Sequence, residues 1–191
     1  MIEYNKERIM SGLSDYEKIM ELAQKIDVSV DIEFQKLFNK YYQVNPKSKE
    51  WLSNFYKLFQ KAKANNYDFE TVLNMFYKKM KRVELSFCSK MIHTINPKNP
   101  VVDQYILWKM GFNPKESLRG KPERAIIIYN DICKQYDTHM SDEAVVDVLK
   151  KFDNDFSDYT AIENIKKLDF IFWSDRESRI HSVFEYEKAL Q

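Results

Sequence analysis

Residues 84–112, ELSFCSKMIHTINPKNPVVDQYILWKMGF, decide the fold. Phe87, Met91 and Ile95 recur at four-residue spacing with Cys88 and Ile92 beside them, which predicts a short helix with a broad apolar face. Pro97 and Pro100 end it, because each lacks an amide donor and restricts the residue before it to extended backbone. Asp103 then stands as a natural N-cap for a second helix carrying Ile106, Leu107 and Met110, closed by Gly111. The stretch reads as helix, proline-stiffened turn, helix. Two of its side chains do not belong to a core: Lys90, on an otherwise apolar helix, and Asp103, at the mouth of the next.

Outward from this unit the chain reads as all-α. Only 3 Gly and 5 Pro accompany 13 Phe, 12 Tyr and 3 Trp among 191 residues, which argues against both disorder and a turn-rich β-sandwich. A bundle of about eight helices follows, over residues 1–191 as one domain or as two lobes sharing an interface, with a helix-hairpin-helix-like unit around residues 68–112. No apolar run approaches the roughly 20 residues needed to span a bilayer, and MIEYNKERIM has no signal-peptide core, so a cytoplasmic protein without membrane partners is expected. Cys88 and Cys133 lack metal-ligand or CxxC spacing and read as buried thiols, and neither metal nor organic cofactor is implied.

The other elements follow from periodicity. Ser14 with Glu17 resembles a capping box opening a helix over 14–26, with Tyr16, Ile19, Met20 and Ala23 on one stripe. Helices are predicted over 31–42, from Ser48 to a break at Asn65-Asn66, and from Asp68 through Met80. The aromatic stripe Trp51, Phe55, Phe59 reads as core in preference to a base-stacking platform. Residues 112–122 form a connecting loop, Pro122 opens another helix, Ser141 starts a shorter one, and Ile162 to Trp173 carry the last core helix. The tail to Gln191 is a weaker helical pattern.

Charge is unevenly distributed. Residues 36–109 hold 14 Lys and Arg against 5 Asp and Glu, a net of +9, although the whole chain carries only +1, and the acid gathers in residues 131–191. A basic block around the candidate site suits a phosphate-bearing partner, because neutralising phosphates releases counterions and supplies sequence-independent affinity. Lys78, Lys79, Lys81, Arg82 and Ser86, immediately before the Lys90 helix, are the candidate DNA-phosphate contacts. A solvated lysine-rich surface is the plainer reading of the same residues.

SFCSKMIHTINPKNPVVDQYILWKMGF, with LDFIFW much later, resembles a group of uncharacterised bacterial proteins related to the helix-hairpin-helix DNA glycosylase superfamily, nearest the 8-oxoguanine DNA glycosylases. The likeness covers residues 81–112 and, more loosely, 162–173. It implies an all-helical two-lobed fold and a base-excision enzyme, with Lys90 as nucleophile and Asp103 as the carboxylate capping the following helix. It places Asp169 and Trp173 in the pocket wall. Where the family's hairpin holds two glycines this chain has Ser86 and Cys88, and its 90-to-103 span is shorter than the family's.

The residues support the same chemistry independently. A glycosylase draws a base out of the duplex and breaks its bond to the sugar by attack at C1′. An amine must be neutral to attack, and burial against Cys88 and Met91 favours the neutral form of Lys90. Asp103 can stabilise positive charge on the sugar or move a proton. Competing readings are a snorkelling lysine and a plain N-cap. His93 shares a helix face with Lys90 and is a candidate to orient substrate, and Tyr105 and Trp108 are candidates to stack on a base. Two functions stand: a DNA-repair base-excision glycosylase, with or without lyase activity through a Schiff-base lysine, and a non-catalytic DNA- or protein-binding protein of a mobile element or defence system that keeps the architecture.

Overall fold

A computed structural model of the protein describes residues 3–44, 47–114 and 120–174. These residues form nine α-helices and one 3-10 turn, with no strand among them. The helices are α1 (Lys6–Lys25), α2 (Ile32–Tyr41), α3 (Lys49–Asn65), α4 (Phe69–Met80), α5 (Leu85–Ile95), α6 (Gln104–Lys109), α7 (Pro122–His139), α8 (Glu143–Asp155) and α9 (Asn164–Ser174). None is long and apolar enough to cross a membrane. The pattern in the tail beyond residue 174 lies outside the described residues.

Caps set most of the boundaries. Asn5, Asp31, Ser48 and Asp68 each accept a hydrogen bond from the amide three residues on, satisfying a donor that the first helical turn leaves unpaired. One expectation is corrected. α1 begins at Lys6 under the Asn5 cap, not at Ser14, and Ile9 and Leu13, both fully buried, carry its apolar stripe towards the N-terminus. Ser14 and Glu17 are exposed residues within the helix.

The buried apolar side chains form one connected core from Ile9 to Phe172. α5 lies at its centre, against α1, α3 and α4. α9 brings the far end of the described chain back onto α1, α6 and α8. The stripe on α3 is core as expected: Trp51 stacks on Phe55 at 5.0 Å and an 11° interplanar angle, and Phe87 of α5 meets Trp51 edge-on at 5.1 Å. Gly12 of α1 permits the closest approach to α9, since a Cβ there would lie 3.2 Å from Phe170 Cε1.

Candidate functional site

α5 makes a site possible because it is buried on nearly every side yet carries polar groups. Ser89, Lys90, His93 and Thr94 are all buried. Ser89 Oγ accepts from Val102 N at 2.9 Å, and His93 Nδ1 lies 2.6 Å from Asn99 O. A carbonyl oxygen can only accept, so Nδ1 carries the proton and Nε2 accepts from Tyr16 Oη at 3.0 Å. These two fastenings, one helical turn apart, lay the returning strand of the turn along α5. They fix where Asp103 emerges. Asp103 Oδ1 then accepts from the amides of Tyr105 and Ile106 and caps α6.

Lys90 and Asp103 line the same cavity, of about 360 Å³. Its floor and one wall come from the first turn of α5 and the start of α6, including Ser86, Phe87 and Tyr105. The opposite wall is α9, through Lys166, Asp169, Phe170 and Trp173, and the chain after α2 closes a third side with Tyr42 and Gln43. Six residues singled out from sequence therefore meet at one cavity: Ser86, Lys90, Asp103, Tyr105, Asp169 and Trp173.

The others lie elsewhere. His93 is fully buried behind the cavity wall with both ring nitrogens engaged, so it holds the turn and is not free to orient a substrate. Burial, then Lys166, lower its pKa from 6.5 to about 3, and the ring is neutral. Trp108 is 40 % exposed on α6 and does not line the cavity. Lys78, Lys79, Lys81 and Arg82 are exposed at the end of α4 and in the turn before α5, close in sequence to the cavity rim at Val83. Lys81 takes the left-handed conformation that ends α4, at φ 54°. Ser86 and Cys88 have ordinary helical backbone, and Cys88 points into the core, where burial raises its thiol pKa.

The electrostatics of the cavity are uneven. The Lys90 amine is almost wholly buried, and among the described residues it donates one hydrogen bond, to the Tyr42 carbonyl at 3.5 Å. Among the described residues no carboxylate oxygen lies within ion-pairing distance of it. Desolvation lowers its pKa, opposed by the more distant charges of Asp103 and Asp169 and aided by Lys166. Burial raises the pKa of the Asp103 carboxyl, with Asp169 adding to the effect and the two α6 amides opposing it. Lys166 and Asp169, by contrast, are a tight buried pair at 2.5 Å.

The start of α5 is open. Glu84, at its N-cap position, makes no capping bond; its Oε1 instead meets Trp51 Nε1 at 3.1 Å, Arg82 Nε at 3.4 Å and Lys47 Nζ at 3.5 Å. The first amides of α5 are left uncapped by it, at a cavity edge lined by Leu85, Ser86 and Phe87.

Sequence reading did not single out Lys166, Gln43 or Gly12. Lys166 had a usable signal: it lies three residues before Asp169 in NIKKLDFIFWS, whose Leu168, Phe170, Ile171 and Phe172 mark a buried helix in which a lysine needs a partner. Gln43 and Gly12 reach the cavity only through packing between distant helices. Comparison of the chain with protein-family models, curated proteins and solved structures gives no match.

Proposed function

We propose that the protein is a base-excision DNA glycosylase that attacks the sugar through the Lys90 amine. The observation that carries this reading is the shared cavity, lined by both a carboxylate and a buried amine that has no ion-pair partner among the described residues. At about 360 Å³ it falls within the roughly 300–1,000 Å³ of small-molecule sites and admits a single extruded nucleobase. Phe87, Tyr105, Asp169 and Trp173 line it beside the amine and the carboxylate.

The reaction follows from these groups. The neutral amine gives its lone pair to C1′ while the bond from C1′ to the base nitrogen breaks, its electrons leaving with the base, which takes up a proton. Asp103 stabilises the positive charge that grows on the sugar and accepts a proton from the attacking nitrogen. Opening of the sugar ring then gives a Schiff base between Lys90 and C1′. In a lyase step the C2′ proton is lost and the 3′ phosphate departs. The uncapped start of α5 and the exposed Lys78, Lys79, Lys81 and Arg82 support a DNA backbone running past the cavity mouth.

Borohydride reduction in the presence of duplex oligonucleotides carrying 8-oxoguanine or an abasic site tests the reading. A covalent protein–DNA adduct is expected with the wild type and not with Lys90→Ala. No adduct on any substrate, together with salt-sensitive DNA binding, would leave the non-catalytic binding protein.

A further inference from the structure

The cavity contains a second lysine held in the opposite way from the first. Lys166 is 3 % exposed, and its Nζ lies 2.5 Å from Asp169 Oδ2. Four aromatic rings surround the same nitrogen, with centroids at 4.6 Å (Phe170), 5.0 Å (Tyr16), 5.5 Å (Tyr41) and 5.9 Å (Tyr42). A carboxylate plus electron-rich ring faces is the setting of a permanent ammonium. Burial works against that charge, but Asp169, Tyr42 and Tyr16 outweigh it and hold the Lys166 pKa above the ordinary lysine value. Among the described residues Lys90 has only the Tyr42 carbonyl at 3.5 Å and the rings of Phe87 at 5.1 Å and Tyr42 at 5.5 Å. The Tyr42 ring thus lies within 6 Å of both lysine nitrogens. Burial is the main force favouring the neutral Lys90 amine, and the nearby Lys166 charge adds to it by repulsion.

We propose that Lys166 is a positioning residue for the Lys90 nucleophile, supplying from α9 the fixed positive charge against which the Lys90 amine gives up its proton. Among the described residues the other charged groups near Lys90 are Asp103, Asp169, Glu84 and Lys47, and the Lys47 amine, 4.8 Å from the Phe87 ring that Lys90 also meets, is paired with Glu84. Asp103, from the turn before α6, opposes proton loss from Lys90, while its own carboxylate is engaged by the two α6 amides. Asp169, from α9, is bound to Lys166. Glu84, from the start of α5, is occupied by Trp51, Lys47 and Arg82. Tyr42, after α2, has a phenol that burial keeps neutral. The inference rests on the glycosylase reading only for what the amine attacks; the charge relation between the two lysines belongs to the folded chain without DNA.

The test is a pH titration of the Lys90 Cε resonance in lysine-labelled protein without DNA, assigned by its absence from Lys90→Met. Lys90 is expected to titrate at the lowest pH among the assigned lysines. Lys166→Met should raise its midpoint by about one pH unit or more, a tenfold gain in proton affinity. Lys166→Arg should restore it, and Asp169→Asn should move it down. A midpoint unmoved by Lys166→Met, or moved alike by Met and Arg, overturns the proposal by showing no charge effect or only lost packing. If the Met variant does not fold, the Asp169→Asn titration decides, and an unmoved midpoint there overturns the proposal. Borohydride trapping on abasic DNA reads the enzyme separately. Shifted titrations without any adduct leave the lysine relation standing and sink the glycosylase, whereas an adduct with a Lys90 midpoint indifferent to Lys166 does the reverse.

Discussion

Acid should loosen the site through His93 before it unfolds the helices around it. The ring is fully buried and neutral, donating from Nδ1 to Asn99 O and accepting at Nε2 from Tyr16. Protonation removes the acceptor at Nε2 and places a charge in the core near Lys166. Its folded pKa of about 3 lies below the unfolded 6.5, so the unfolded chain binds the extra proton first and stability is lost as pH falls through that window. At pH 4 the gap between the unfolded pKa and the ambient pH is about 2.5 units, worth roughly 3 kcal/mol at 1.36 kcal/mol per unit. His93→Gln keeps a donor and an acceptor but has no proton to gain. Urea unfolding of wild type and variant at pH 7 and pH 4 isolates the effect, since every other titrating group is common to both. The variant starts less stable at pH 7, having lost the fit of the ring, and the difference should shrink or reverse by roughly 3 kcal/mol at pH 4. A difference constant to within about 1 kcal/mol would refute the assignment of a neutral, doubly bonded ring.

Three further perturbations bear on the cavity. Lys90→Met should abolish the borohydride adduct yet raise stability by about 1–3 kcal/mol in urea unfolding at pH 7, because a desolvated amine without a counter-ion is replaced by an apolar chain of similar length. With its folded pKa below the unfolded value, wild-type Lys90 should also recover stability as pH rises towards about 10.4, and the Met variant should lack that rise. Asp103→Asn keeps an acceptor for the α6 amides whereas Asp103→Ala removes it, so only Ala should lower stability, by about 1 kcal/mol, while both abolish the adduct; full activity in the Asn variant would reduce the carboxylate to a cap. Gly12→Ala places a methyl 3.2 Å from Phe170 Cε1 and should push that ring into the cavity, weakening substrate binding more than the fold, with a stability change of about 1 kcal/mol or less. Unchanged binding would mean that Phe170 does not shape the pocket.

The fold was legible where one residue decided a boundary. Asp31, Ser48, Asp68 and Asp103 are caps in the structure because a short side-chain oxygen at a helix mouth satisfies a backbone amide regardless of tertiary context. Ser14 misled for the complementary reason. The spacing S-x-x-E is equally compatible with an exposed helix face, and the burial of Ile9 and Leu13, which draws the helix back to Lys6, depends on distant partners. Part of the cavity was legible too, since Lys90 is a charged residue on an otherwise apolar stretch and Asp103 stands at the mouth of the next helix. The rest was not. Gly12, Gln43 and Lys166 come from elements separated by up to some 150 residues of chain, and only packing of α2 and α9 on α1 places them together.

The short interval between Lys90 and Asp103 is no obstacle to bringing the two side chains to one cavity. From Lys90 to the end of α5 at Ile95 the chain climbs about 7.5 Å at 1.5 Å per residue. The following residues, stiffened by Pro97 and Pro100, turn and run back down the helix. Asn99 O is fastened at the level of His93, and Val102 N at the level of Ser89, one residue from Lys90. An extended chain covers about 3.3 Å per residue, so the eight residues from 96 to 103 have more than enough reach for that return. The surplus is absorbed in the turn at residues 96–99, where Asn99 N donates to Asn96 O at 3.1 Å. Asp103 therefore emerges beside the first half of α5 and spends one carboxylate oxygen on the α6 amides, leaving the other without a hydrogen bond among the described residues. A longer connection would reach the same place with more freedom. The short one, bonded to α5 at two levels, leaves the carboxylate little choice of position relative to the amine.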